Sequence, residues 1–98
     1  MQEKIGEFLE YLKVVRRFSP ETIRAYRADL EQFFQVVGRD ILNKEAVREF
    51  FSLLQRERKK RSSLLRKAAS LRSFSRYLHE KRYLQHDPLQ ALNKPKRE

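Results

Sequence analysis

The sequence predicts an all-α fold, a compact bundle of four main helices with a short fifth helix at the C-terminal end. Apolar residues recur every three or four positions, which is the spacing of one face of a helix. Only 2 glycines and 3 prolines occur in 98 residues, which favours long helices joined by short connections. The 7 phenylalanines and 4 tyrosines can fill one modest core, and the length suits a single domain.

The first two helices have clear boundaries. Helix A is predicted over residues 2–16, with an apolar face made by Ile5, Phe8, Leu9, Leu12 and Val15. Helix B begins at Ser19, which can cap it, and Pro20, which suits the first helical position. It extends to Val37 and is followed by Gly38, a residue typical of helix C-termini. Its core stripe comprises Ile23, Tyr26, Leu30, Phe33, Phe34 and Val37.

The next two helices carry most of the basic residues. Asn43 is the expected cap of helix C, residues 44–58, whose buried stripe is Val47, Phe50, Phe51 and Leu54. Ser62 or Ser63 is the expected cap of helix D, which ends near residues 80–82. Its predicted inner side comprises Leu64, Ala68, Leu71, Phe74, Ser75 and Leu78. Its predicted exposed side comprises Arg66, Ala69, Ser70, Ser73 and Arg76, with Tyr77 at the boundary.

The C-terminal segment predicts the end of the domain. Asp87 and Pro88 are typical of a helix start, so we expect a short helix that contains Leu89 and Leu92. Residues 94–98 are polar and basic and contain a proline, which is typical of an interdomain linker. The expected domain therefore covers residues 1–93.

The charge of the chain points to an anionic partner. There are 23 Lys+Arg against 13 Asp+Glu, which gives a net charge of +10. Residues 56–82 hold eleven of the cations, opposed only by Glu57 and Glu80. Arg66 is expected near the N-terminus of helix D, where the helix dipole disfavours positive charge. These features favour nucleic acid, while an acidic protein or an anionic membrane surface remains an alternative. RNA fits less well because no aromatic platform is expected on the exposed faces.

Several function classes lack the residues they need. There is no cysteine, and His79 and His86 have no partners at metal-ligand spacing, so no metal or cofactor is expected. Two glycines cannot make a glycine-rich phosphate loop. No stretch approaches the ~20 apolar residues of a membrane span. The sequence thus predicts a binding module without a catalytic residue.

Four stretches resemble a known family. Residues 19–30, SPETIRAYRADL, are similar to the S-x-x-T-x-x-x-Y-x-x-D-L helix of Xer-type tyrosine recombinases. Residues 62–78 resemble the second signature of that family through Ser62, Arg66, Arg72, Tyr77 and Leu78. Asp87-Pro88 and Lys94-Pro95-Lys96 resemble the residues with which this domain ends in that family, just before the interdomain linker. The sequence departs from the pattern at Ala69, Ser75 and Asp87.

The resemblance implies an N-terminal core-binding domain, also called SAM-like. In that family, the second and fourth helices of the domain enter the major groove of duplex DNA. Carried over by position, this implies DNA contacts by Thr22, Arg24 and Arg27 on helix B and by Ser63, Arg66, Lys67 and Ser70 on helix D. Arg61 and Arg72 are the implied phosphate contacts.

The resemblance also implies what lies outside this chain. The family cleaves DNA with a tyrosine nucleophile, forms a 3′-phosphotyrosine and needs no metal. Tyr11, Tyr26, Tyr77 and Tyr83 all lie in core-type helical contexts, so none is the expected nucleophile. We expect a missing catalytic domain beyond Glu98, other recombinase subunits in a synaptic tetramer, and a cytoplasmic location. The alternative is a helical protein–protein interaction module whose basic face meets an acidic partner.

Overall fold

The computed structural model describes residues 1–90, and these form four α-helices without a β-strand. They are α1 (Gln2–Val14), α2 (Pro20–Val37), α3 (Lys44–Arg56) and α4 (Arg61–Glu80). The predicted all-α architecture is confirmed. The predicted linker at residues 94–98 lies outside the described residues.

Among the N-caps predicted for α2, α3 and α4, two are confirmed and one is wrong. The Ser19 side chain accepts a hydrogen bond from the Thr22 N–H at 3.2 Å, and Asn43 accepts one from the Ala46 N–H at 2.8 Å. Gly38 ends α2 with φ 74, as expected for glycine at this position. However, neither Ser62 nor Ser63 caps α4. Lys60 is the last residue with extended backbone, so both serines already lie inside the first turn.

Helices α2 and α4 run in the same direction. Asp29 of α2 bonds to Arg66 and Ser70 of α4. Farther along both helices, the rings of Phe34 and Phe74 lie 6.3 Å apart. Both helices rise by the same distance per residue, so their N-terminal ends lie at the same end of the bundle.

Helix α1 runs antiparallel to α4 and packs against it. Glu7 in the middle of α1 bonds to Tyr77 near the end of α4, while Arg16 beyond the end of α1 lines one cavity with Ser73, which lies earlier in α4. Helix α4 therefore packs against both α1 and α2. Buried apolar residues from all four helices make one core, which includes Phe8, Phe33, Phe50, Phe74, Leu30, Leu54 and Leu78.

Two boundary predictions need correction. Helix α1 stops at Val14, so Val15 is 63% exposed and does not continue the apolar face. Helix α3 stops at Arg56 because Arg58 adopts a positive φ of 58°. In the loop before α3, Leu42 is buried and Ile41 is exposed.

The segment after α4 folds back on the core. Leu89 is buried, and its N–H donates to the Asp87 carboxylate at 3.0 Å, so Asp87 acts as the predicted cap. The Ser75 hydroxyl, which is buried as predicted, donates to the same carboxylate oxygen. Leu84 packs against the core, whereas Tyr83, which the sequence assigned to a core-type context, is 44% exposed. The rest of the predicted fifth helix, with Leu92, lies outside the described residues.

Candidate nucleic-acid interface

The basic end of the bundle is the end at which α2 and α4 both begin. Stepping back along the two parallel helices from Asp29 and Arg66 brings Thr22 and Arg24 to the level of Arg61. Arg24 and Arg61 are exposed, and neither has a hydrogen-bond or ion-pair partner within residues 1–90. Cations from two helices and the α3–α4 connection therefore share one end of the molecule.

The start of α4 adds backbone donors to this end. Its N-cap, Lys60, makes no side-chain cap hydrogen bond, and its first turn contains no acidic residue. The first N–H groups of a helix have no partner within the helix and carry the positive end of its dipole. Lys59, Lys60 and Arg61 lie beside them and are exposed. This arrangement disfavours further cations and favours anions.

Asp29 is the centre of a polar cluster between α2 and α4. Its carboxylate is only 1% exposed, and one oxygen accepts from Arg66 Nη2 and Lys67 Nζ, both at 2.9 Å. The other oxygen accepts from Arg66 Nε at 3.0 Å and from Ser70 Oγ at 2.8 Å. Four hydrogen bonds thus satisfy a carboxylate inside the helix interface.

The surroundings of Asp29 keep it ionised. Burial alone would raise its pKa, but the hydrogen bonds from Arg66, Lys67 and Ser70 outweigh burial and hold the pKa below its usual range. The hydrogen bond to Asp29 also raises the pKa of Arg66 above its already high value. The cluster contains two cations and one carboxylate, so it keeps one positive charge.

This cluster corrects part of the sequence-based interpretation. We expected an external anion to balance Arg66, but Asp29 within the chain already pairs with it. We expected Ser70 on the exposed side, but it is fully buried. Lys67 retains only 12% of its side-chain exposure, whereas Arg66 retains 47%. The sequence assigned α4 one inner side and one exposed side. This division failed for Ser70 because α4 packs against α2 as well as α1.

The other predicted contacts differ in accessibility. Thr22 is half-buried and its hydroxyl accepts from Ser19 at 2.9 Å. Arg27 is exposed and pairs with Glu31 at 3.6 Å. Ser63 and Arg72 are half-buried. The structure therefore brings Thr22, Arg24, Arg61 and Ser63 to one end, with Arg66 about one turn farther along α4.

Sequence reasoning missed Asp29 as a site residue. It lies three residues after Tyr26 and four before Phe33, which is the spacing of the buried face of α2. An acidic residue on a buried face requires a donor partner. That signal was present, but periodicity alone does not identify Arg66 and Lys67 as the partners.

The structure shows neither a metal site nor a membrane helix in the part of the chain it describes. Within residues 1–90, no group of three or more His, Cys, Asp or Glu side chains is placed to hold a metal ion. No helix of that part combines the length and the apolar character needed to cross a membrane.

The buried face of α4 also accounts for Tyr77. Predicted at the boundary, this residue is buried, and its hydroxyl donates to Glu7 at 2.7 Å. Burial and this bond raise the pKa of Tyr77 well above its usual range. Its phenol therefore resists ionisation and has a structural partner.

Comparison with known proteins identifies relatives along the whole chain. Residues 5–82 match the family model for the phage integrase N-terminal SAM-like domain. Tyrosine recombinase XerC of Syntrophus aciditrophicus is 38% identical over 100% of this chain and 36% of its own length. XerC of Oceanobacillus iheyensis is 36% identical over 94% of the chain, and XerD of Listeria innocua 33% identical over 98%.

The chain spans about a third of the length of these relatives, between 32% and 36%. No solved structure matched it. The family-model match covers most of the chain, and the four-helix architecture agrees with it. The chain belongs to the family of phage integrase N-terminal SAM-like domains, in the form found in Xer-type tyrosine recombinases.

Proposed function

We propose that this chain binds double-stranded DNA as the core-binding domain of a site-specific tyrosine recombinase or integrase. The N-terminal halves of α2 and α4 enter the major groove. The observation that carries the proposal is the common end at which both helices begin, with exposed Arg24 and Arg61 and an α4 start that lacks a side-chain cap. Family membership supports the recombinase context.

The proposed contacts fall into two groups. Arg24, Arg27, Arg61, Arg66 and Arg72 neutralise phosphates, since arginine donors suit phosphate oxygens. Thr22 and Ser63 are small enough for the helix ends to approach the base edges closely. Lys67 and Ser70 are turned toward Asp29, so in this proposal they support the interface from inside.

The proposal extends to the larger protein from which such a domain comes. We infer that a catalytic domain follows it and that other recombinase subunits join it in a synaptic tetramer on DNA, in the cytoplasm. Strand cleavage by a tyrosine nucleophile belongs to that catalytic domain, so the chain alone has no catalytic activity. Its own part is to hold the duplex, and it needs no cofactor for that.

Salt dependence tests the DNA-binding function. The 98-residue chain is titrated into a fluorescent mixed-sequence duplex of roughly 30 base pairs, at several salt concentrations, with anisotropy as the readout. If about 5 phosphates are neutralised, log K should fall against log salt with a slope of about −4.5. Absence of binding at low salt, or binding that salt does not weaken, would contradict the proposal.

Two arginines at opposite ends of α2 locate the interface. Arg24→Ala removes a cation from the proposed DNA end, and Arg39→Ala removes one just beyond the other end of the helix. The ends of this 18-residue helix lie about 27 Å apart. We expect Arg24→Ala to weaken binding several-fold and to reduce the salt slope by about 0.9, with little change for Arg39→Ala. Equal effects would show that net charge, and not this face, governs binding.

A further inference from the structure

Arg66 differs from the other arginines of the proposed DNA-binding end because a buried carboxylate holds it. Arg24 and Arg61 have no partner among residues 1–90, and the only partner of Arg27 is the exposed Glu31 on its own helix. Arg66 instead forms a two-bond fork with Asp29, which is 1% exposed and lies on a different helix. A free arginine loses rotamer entropy when it binds a phosphate, whereas a held arginine has lost it on folding.

The fork leaves part of the guanidinium available. Nε and Nη2 of Arg66 donate to Asp29, while Nη1 has no hydrogen-bond partner in the described part of the chain. The guanidinium is planar, so the edge bonded to the buried carboxylate and the remaining donors point in different directions. The side chain remains 47% exposed, so the unbonded donors are reachable from outside.

Lys67 and Ser70 fix the Asp29 carboxylate that binds Arg66. Lys67 is mostly buried and donates to Asp29, and fully buried Ser70 donates to the other carboxylate oxygen. These two bonds hold the Asp29 carboxylate in place beside Arg66. The charge of Lys67 offsets that of Asp29, which leaves the charge of Arg66 for an outside anion.

We propose that Asp29 is a positioning residue for DNA binding, which orients the Arg66 guanidinium so that its free edge meets a phosphate. This inference rests on the proposed function and adds a residue that does not itself touch DNA. An acidic residue here strengthens DNA binding although its charge repels DNA.

Asp29→Asn tests this through the direction of its effect. The substitution removes a negative charge, so electrostatics alone predicts tighter DNA binding. Positioning predicts the opposite: about tenfold weaker binding, the cost of one charge-assisted hydrogen bond, and a salt slope smaller by about 0.9. The probe is the same mixed-sequence duplex, and circular dichroism first confirms that the variant is folded. Binding equal to or tighter than that of the unchanged chain overturns the inference.

A double-mutant cycle separates positioning from general damage. If Asp29 acts through Arg66, Asp29→Asn should cost little further affinity in a chain that already carries Arg66→Ala. An equal loss in both backgrounds means that Asp29 only supports the fold, and it overturns the inference.

Arg66→Lys covers the case in which Asp29→Asn does not fold. Lysine keeps the charge and one bond to Asp29 but lacks the fork. We expect it to bind DNA as weakly as Arg66→Ala, to within about a factor of three, and affinity like that of the unchanged chain overturns the inference. If the unchanged chain itself fails to bind, the proposed function falls first. Failure of the variants alone leaves that function standing.

Discussion

Glu7 accepts hydrogen bonds from two tyrosines and fastens α1 to the end of α4. Tyr77 Oη lies 2.7 Å from its carboxylate, and Tyr83 Oη lies 2.8 and 2.9 Å from the two oxygens. The Tyr77 bond, followed by the Tyr83 bond, lowers the pKa of Glu7. The ammonium of Lys4 lies over the Tyr83 ring, 4.9 Å from its centre. The contact joins residues about seventy positions apart in the chain.

Tyr77→Phe should lower the free energy of unfolding by about 1 kcal/mol at pH 7, the usual net worth of one hydrogen bond. Phenylalanine keeps the ring packing on Phe8, at 5.2 Å, so the loss reports on the hydroxyl. Urea denaturation measures it. The control is Tyr83→Phe, which should cost less because that side chain is 44% exposed. A greater loss for Tyr83→Phe would contradict this assignment.

Residues that satisfy a buried partner were the hardest to predict from sequence. The apolar core positions Phe8, Phe33, Phe50 and Phe74 follow directly from helical spacing and are fully buried. Ser70 and Asp29 are buried as well, but their burial depends on each other and on Arg66. Periodicity shows which face a residue shares within one helix, whereas the partner across the interface depends on how two helices pack.

Two of the helices end at an arginine where glycine would be favoured. Arg58 after α3 and Arg82 after α4 have φ of 58° and 66°. In both cases the backbone N–H of the next residue donates to a carbonyl in the last turn of the helix. The Lys59 N–H donates to the Leu54 carbonyl at 3.3 Å, and the Tyr83 N–H donates to the Leu78 carbonyl at 2.9 Å. These are Schellman ends, in which the left-handed position strains any residue with a side chain. An arginine in the sequence does not indicate a helix end as a glycine does, so helix α3 was predicted to continue to Arg58.

Arg58→Gly should separate stability from binding. Glycine relieves the strain of the left-handed backbone but also gives the unfolded chain more entropy. The first effect should be larger, so the folded chain should be more stable by about 0.5 kcal/mol. Loss of a cation beside the start of α4 should weaken DNA binding. Arg58→Ala should weaken binding equally without the gain in stability. Thermal unfolding and anisotropy provide the two measurements.

Gly38→Ala is the reverse control. Gly38 has φ 74°, and a methyl group there would meet no atom within 4 Å, so any loss comes from the backbone. We expect destabilisation of about 1 kcal/mol. If Arg58→Gly lowered the melting temperature, the strain at that helix end would be refuted.

At the scale of the whole molecule, the chain carries a net charge of +10, and one end of the bundle presents the starts of α2 and α4 with the exposed side chains of Arg24 and Arg61. The architecture was predictable because the caps at Ser19 and Asn43 and the C-terminal Gly38 mark three helix boundaries in the sequence. The common direction of α2 and α4 was implied only by the family resemblance. It depends on contacts such as Asp29 with Arg66, which close only in the folded chain.

Acid should destabilise the fold through its bonded carboxylates. The pKa values of Asp29 and Glu7 are lowered in the folded chain, so both contribute stability above the unfolded pKa values of about 4. That stability is lost as the pH falls through the lower folded values. Urea denaturation at pH 7, 5 and 3 should therefore show a falling free energy of unfolding.

The Asp29→Asn variant isolates the contribution of the cluster between α2 and α4. At pH 7 it should be less stable than the unchanged chain by about 2 kcal/mol, because mostly buried Lys67 loses its charged partner. Below the folded pKa of Asp29, the protonated carboxyl and the asparagine amide are both neutral and similar in shape. The gap between the two chains should therefore close toward low pH, while the repulsion among the remaining cations lowers both curves together. A gap that stays constant from pH 7 to acid would mean that the charge of Asp29 does not stabilise the contact between the two DNA-facing helices.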